Sequence, residues 1–147
     1  MKRANYLQCA PKLMQHLFVQ EQLLNEEVMR HLDTKLWELV KLRASQLNQC
    51  GYCIAMHSRQ AMEQGECAKR IIALNAWRDM SGFTTQERLA LTLCEQLTNL
   101  QPIEDTLYAQ LSDVFSDDAL VTLTVAINAI NAWNRVVKMF KPDPDEQ

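Results

Sequence analysis

The chain has 147 residues, 48% of them hydrophobic, and a formal net charge of −3. That is the length of one ordinary domain with enough apolar material for its own core, and the charge leaves no electrostatic footprint for nucleic acid or an anionic membrane. With only three Gly and four Pro, it lacks the turn residues an all-β sandwich needs every few positions, so the composition favours helices.

The N-terminal segment carries two basic residues but no uninterrupted apolar stretch, so it does not read as a secretory signal. No apolar run approaches the ~20 residues of a membrane-spanning helix. A cytoplasmic location is the expectation. In chain order, the spacing predicts a first helix over about 11–25, with Pro11 in its first turn. A second opens near Asp33 or Thr34, where Leu36, Leu39, Val40, Leu42 and Leu47 form one broad apolar stripe, with Lys35, Lys41 and Arg43 outside it.

Asn48, Gln49 and Gly51 interrupt that pattern before a third helix that Gly65 closes. A further helix is expected over about 66–79, then a turn at Ser81-Gly82. Thr84 and Glu87 make a capping box for a helix bearing Leu89, Leu93 and Leu97. After Pro102 a shorter helix runs to about Phe115, and Ser116, Asp117 and Asp118 start the last one, over about 117–140. That last helix is apolar nearly all round, so it should cross the middle of a bundle or meet another subunit. Residues 141–147 read as a frayed polar tail. No linker or repeat divides the chain, which is therefore expected to be one domain over 1–147.

Five cysteines are present, Cys9, Cys50, Cys53, Cys67 and Cys94. Only Cys50 and Cys53 are paired in sequence, as C-x-x-C, which in a reducing compartment points to redox chemistry, metal binding or chance. With Cys50 in the first turn of the third helix, Cys53 follows by three residues and His57 by four more. Such spacing aims all three at one spot.

A helix N-terminus and a nearby imidazole both stabilise thiolate, the nucleophile that peroxide reduction requires. A second cysteine can capture the resulting sulfenic acid as a disulfide, which an external thiol then reduces. The helix end favours Cys50 as the more acidic thiol and His57 favours Cys53. Glu38, on the preceding helix, could orient His57 or relay protons. Two buried structural cysteines would share the same spacing. Zinc would need a closed set of four ligands that the sequence does not supply, so no metal or cofactor is expected. His16 and His31 read as surface residues, Cys9, Cys67 and Cys94 as incidental, and Trp37, Trp77 and Trp133 as core or interface anchors.

Several of these residues occur in an order that resembles the alkylhydroperoxidase D-like (AhpD-like) branch of the carboxymuconolactone decarboxylase family. They are Glu38 ahead of Cys50-x-x-Cys53-x-x-x-His57; Leu42-Arg43, Ser45, Asn48, Tyr52, Met56, Ala61 and Gly65 around them; Trp77-Arg78 with the segment from Phe83; and Ile130 to Arg135. The resemblance spans about 35–135, the expected core of the domain.

It implies an all-α bundle of about six or seven helices that assembles into a dimer, trimer or hexamer. It further implies a peroxidatic Cys53, a resolving Cys50, a proton relay through His57 and Glu38, a small hydroperoxide substrate, and an external dithiol reductant such as a dihydrolipoamide-bearing protein. Fully peroxidatic members have His where this chain has Tyr52. A phenol, with an ordinary pKa of about 10, is no base near neutral pH but still hydrogen-bonds. The alternatives are a thiol-disulfide oxidoreductase or redox sensor without peroxidase turnover, and a non-catalytic oligomeric protein.

Overall fold

A computed structural model describes residues 3–142, and these form an all-α bundle. Its elements are α1 (Tyr6–Cys9), α2 (Pro11–His31), α3 (Thr34–Leu47), α4 (Gly51–Glu63), α5 (Ala68–Ile72), a 3₁₀ segment (Leu74–Asp79), α6 (Thr85–Thr98), α7 (Asp105–Ser112) and α8 (Asp117–Phe140). Six of them have eight or more α-helical residues, in line with the expected six or seven. No described helix is long and apolar enough to cross a membrane.

The helix starts sit where their capping residues put them. Asp33 accepts from the Lys35 N–H, Ser116 accepts from Ala119, and Thr84 and Glu87 cap each other's backbone reciprocally. Gly65 has φ +82, the left-handed conformation that ends a helix at little cost in glycine.

The differences from expectation lie where local signals are weak. The four-residue α1, capped by Asn5, carries no apolar period to read. α2 runs six residues past Asn25, because Val28 is buried on the same face as Leu24. Residues 66–79 form no single helix: α5 ends at Ile72, and Ala76 is non-helical inside the 3₁₀ segment. The break lets Trp77 turn inward, where it is 3% exposed. Residues 143–147 of the expected tail lie outside the described residues. Lys141, before them, ends α8 in the left-handed region.

The core is organised around α3. Nine of its fourteen residues are buried. Trp37, Val40 and Ala44 face a large cluster with Leu93, Leu123 and Ile127, while Leu39 and Leu42 face a second one with Leu74, Trp77 and Leu91. α8 takes the first of its two expected placements, packing on α2, α3 and α6. Its Val121 and Val125 stay exposed.

Two polar hubs tie the helices together. Glu95 on α6 accepts from Arg43 Nε and Trp77 Nε1, each at 2.8 Å, and from Arg78. Burial pushes its carboxyl up, but these three donors outweigh it and hold the group below its ordinary value. The second hub joins α3 to α8. Asn48 Nδ2 donates to Asn131 Oδ1 at 2.8 Å and Asn134 Oδ1 at 3.0 Å, and Asn134 Nδ2 donates to Ser45 Oγ at 3.1 Å. Lys138 Nζ donates to the Asn48 carbonyl at 2.8 Å.

Asn134 is fully buried, so truncating it strands amide and hydroxyl partners away from water. Asn134→Ala is expected to destabilise the fold by about 2–3 kcal/mol, measured as a lowered urea midpoint with an unchanged m-value. A loss under about 0.5 kcal/mol would mean the amide network contributes no more than an ordinary surface contact.

Candidate active site

The second hub fixes the turn from which the cysteine pair hangs. After Asn48, Gln49 takes φ +53 and Cys50 is extended, so Cys50 is the N-cap of α4 rather than a residue of its first turn. Its side chain makes no capping hydrogen bond; instead it is joined to Cys53 in a disulfide with Cα atoms 5.3 Å apart. Both cysteines are nearly inaccessible, at 3% and 2% exposure, and pack with Val137 of α8 and the partly buried Tyr52.

Cys53 and His57, one turn apart on α4, line a cavity of about 610 Å³, whereas Cys50 does not. Glu38 and Lys41 of α3 line it too, together with Tyr52, Met56, Phe18 of α2 and Trp133 of α8. The sequence-predicted Glu38, Cys53, His57 and Tyr52 thus converge on one space, while Cys50, expected to share it, stays out of the lining because it caps α4 instead of lying in its first turn.

Glu38, His57 and Lys41 form a buried charge cluster at 4–7% exposure. Lys41 Nζ is ion-paired with Glu38 Oε1, and Glu38 Oε2 lies 3.5 Å from His57 Nδ1. Burial raises the Glu38 pKa most, yet the His57 N–H and the Lys41 ammonium overcome it and hold the carboxyl below its ordinary value of 4.5. Glu38 is therefore a carboxylate at neutral pH.

His57 Nδ1 is also 2.9 Å from Gln60 Oε1. Two acceptors, a carboxylate and an amide oxygen, face this nitrogen, so Nδ1 carries the ring proton. His57 Nε2 then presents its lone pair. It is buried without a hydrogen-bond partner among the described residues, which suits a base awaiting a proton.

Lys41 was expected on the solvent side of its helix, and that expectation is overturned. It is buried over the Trp37 ring, 5.1 Å from the centroid, because the apolar surroundings need a cation to balance Glu38. The i, i+3 spacing from Glu38 was a usable signal. Phe18 and Trp133, whose rings lie 5.2 Å apart, carried no local signal for a place at the cavity. His16 is exposed as expected, whereas His31 has company, its Nε2 3.3 Å from Glu27. Among the other thiols, Cys9 and Cys67 are exposed. Cys94 is buried and its pKa is pushed up to about 12 by desolvation, so it is inert as a nucleophile.

A model of the carboxymuconolactone decarboxylase family matches residues 20–96, more than half of the chain and all of the Glu38–His57 segment. The uncharacterized protein YdfG of Bacillus subtilis is 32% identical over 137 residues, 92% of this chain and 91% of that one. The uncharacterized protein YnjA of Escherichia coli is 31% identical over 101 residues, covering 68% of this chain and 56% of its own length.

Among solved structures, an Agrobacterium tumefaciens protein of unknown function, described as a candidate antioxidant defence protein AhpD, superposes with a TM-score of 0.90. It shares 30% identity, with 97% of each chain covered. A debrominase superposes with a TM-score of 0.81 over 93% of this chain and 73% of its own. At 16% identity that likeness concerns the fold alone.

Replacing Glu38 tests the cluster. Glu38→Ala leaves Lys41 buried without its counter-charge and is expected to cost about 3–5 kcal/mol. Because the folded-state pKa of Glu38 is depressed, its contribution is full above the unfolded value and is lost as pH falls through the folded one. The stability gap between the native chain and Glu38→Gln is thus expected to hold from pH 7 to about 5 and to close below about pH 4, read by urea unfolding across pH. A gap independent of pH down to 3 would refute the ionised-carboxylate assignment.

Proposed function

The chain belongs to the carboxymuconolactone decarboxylase family, in its AhpD-like part, and we propose that it is a thiol peroxidase working through Cys53. The observation that carries this reading is the asymmetry of the pair. Cys53 lines a cavity beside an imidazole with a free lone pair, while its disulfide partner Cys50 lies outside that cavity.

In the reduced protein, His57 Nε2 takes the Cys53 proton and the Glu38 carboxylate stabilises the imidazolium from the Nδ1 side. The thiolate attacks the terminal oxygen of the hydroperoxide. The O–O bond breaks, Cys53 becomes a sulfenic acid, and the leaving alkoxide takes up a proton to depart as an alcohol. Cys50 thiol then attacks the sulfenic sulfur, expelling water and closing the disulfide.

An external dithiol completes the cycle by exchange: its two thiols are oxidised to a disulfide as Cys50 and Cys53 regain theirs. With both cysteines at most 3% exposed, the reductant is a slender thiol that enters the cavity, for which a lipoyl-type arm has the right form. That burial also weighs against the oxidoreductase reading, in which Cys53 would exchange with the surface disulfides of folded proteins.

Tyr52 stands where fully peroxidatic relatives carry His, and His57 is left as the cavity's one imidazole among the described residues. The proton work of this reading accordingly falls on His57 alone, with Tyr52 restricted to hydrogen bonding.

Cys53→Ser is expected to abolish turnover of cumene hydroperoxide in a dithiol-coupled assay. Cys50→Ser should consume about one equivalent to reach the Cys53 sulfenic acid and, with peroxide in excess, a second as it passes to sulfinic acid, detected by intact mass. His57→Ala should lower the second-order oxidation rate about 10²-fold near neutral pH and lose the wild-type pH profile. Wild-type turnover in both cysteine variants would end the peroxidase reading. Oxidation by disulfide donors alone would transfer the pair to exchange chemistry.

A further inference from the structure

The cavity's charges say more than its size. Its ionisable lining among the described residues includes three carboxylates, Glu21, Glu38 and Glu63, against one ammonium, Lys41. Lys41 is consumed by Glu38, which leaves Glu21 and Glu63 as two carboxylates that no cation of the lining itself pairs. Arg59 lies 3.9 Å from Glu63, but both are about two-thirds exposed and Arg59 does not line the cavity.

The wall opposite α4 is apolar and aromatic. Phe18 and Trp133 meet with their planes tilted by 50°, and Ile130 and Leu7 continue the surface. Phe18 remains 48% exposed. Tyr6 of α1 also lines this space, braced by Phe140 with ring centroids 5.6 Å apart.

We propose that this cavity selects uncharged substrates with a ring-sized apolar group and rejects carboxylate-bearing ones, with Phe18 and Trp133 as the binding wall and Glu21 and Glu63 as the excluding charges. The inference builds on the peroxidase reading by naming which hydroperoxides the site takes. Aryl-alkyl hydroperoxides fit, whereas fatty-acid hydroperoxides meet like charge on entry. Like-charge juxtaposition of this kind discriminates through both encounter and residence, and the half-buried Glu21 and exposed Glu63 make it sensitive to salt.

A matched pair of non-reacting probes separates this inference from turnover. Cumyl alcohol, the reduction product of cumene hydroperoxide, and its para-carboxylate differ by one charge on the same skeleton. Binding of each to the full disulfide-form chain is measured by titration calorimetry at pH 7 and low salt.

The expected result is at least about fivefold weaker binding of the carboxylate, a gap that narrows at high salt. Glu21→Gln with Glu63→Gln should close the gap by strengthening carboxylate binding, and Glu21→Asp with Glu63→Asp should keep it. Phe18→Ala and Trp133→Ala should weaken both probes together. Equal affinities in the native chain, no binding of cumyl alcohol, or a gap unmoved by the double Gln variant would each overturn the proposal. Turnover of hydrogen peroxide without probe discrimination would sink the selectivity and spare the peroxidase reading. Discrimination without turnover of cumene hydroperoxide would do the reverse.

Discussion

The turn between α3 and α4 has to hold Gln49 in the left-handed region, a conformation not locally favourable for a non-glycine residue, before the extended Cys50. It is held by backbone bonds from Gln49 to Gln46 and from Cys50 to Ser45, and anchored by the amide network of Asn48, Asn131, Asn134 and Ser45, which joins segments more than eighty residues apart in sequence. The amides of Asn131 and Asn134 each use both oxygen and nitrogen, so neither can rotate without leaving a buried group unpaired. Lys138 adds a cationic donor at the Asn48 carbonyl. This constraint sets where α4 starts, and therefore which of two cysteines three residues apart faces the cavity. A C-x-x-C on an unsupported turn could present either sulfur.

Electrostatics at the site follow from the same packing. α3 is buried on most of its circumference, so a carboxylate on it is tolerable only with compensation. Lys41 supplies the charge, and His57 Nδ1 lies 3.5 Å from the other carboxylate oxygen while bonding Gln60. The lysine that looks like a solvated residue on a helical wheel is thereby a structural requirement of the site. Its pairing also removes it as an anion receptor, which is why the cavity ends up negative despite containing a lysine. Glu95 shows the same logic away from the chemistry, gathering Arg43, Trp77 and Arg78 from α3 and the 3₁₀ segment.

The residues quoted for the family resemblance acquire physical meaning in this arrangement. Arg43, Trp77 and Arg78 are the donors to Glu95; Ser45, Asn48, Asn131 and Asn134 are the amide network; Gly65 is the left-handed residue after α4. A pattern scattered over a hundred positions was legible in order but opaque in purpose, because each member works with a partner far away in sequence. The hub itself, Glu95, drew no notice, since one acidic residue in an amphipathic helix reads as solvated. The missed break between α5 and the 3₁₀ segment has the same origin: Trp77 is drawn to Glu95 by a tertiary hydrogen bond that local helical spacing does not express.

The sequence by itself determined what depends on neighbours along the chain. Capping residues set the starts of α3, α6 and α8; apolar period set the buried faces; and the spacing of Cys53 and His57 set their shared direction, which Cys50, at the N-cap, does not join. These are consequences of helical geometry within a few turns. Only the tertiary structure decided that Cys53 and not Cys50 meets the cavity, that Lys41 is buried against Glu38, and that Phe18, Tyr6 and Trp133 build a wall from three different helices. Those outcomes depend on how helices cross and on which buried polar groups find each other, quantities fixed by the whole core at once and by no single segment.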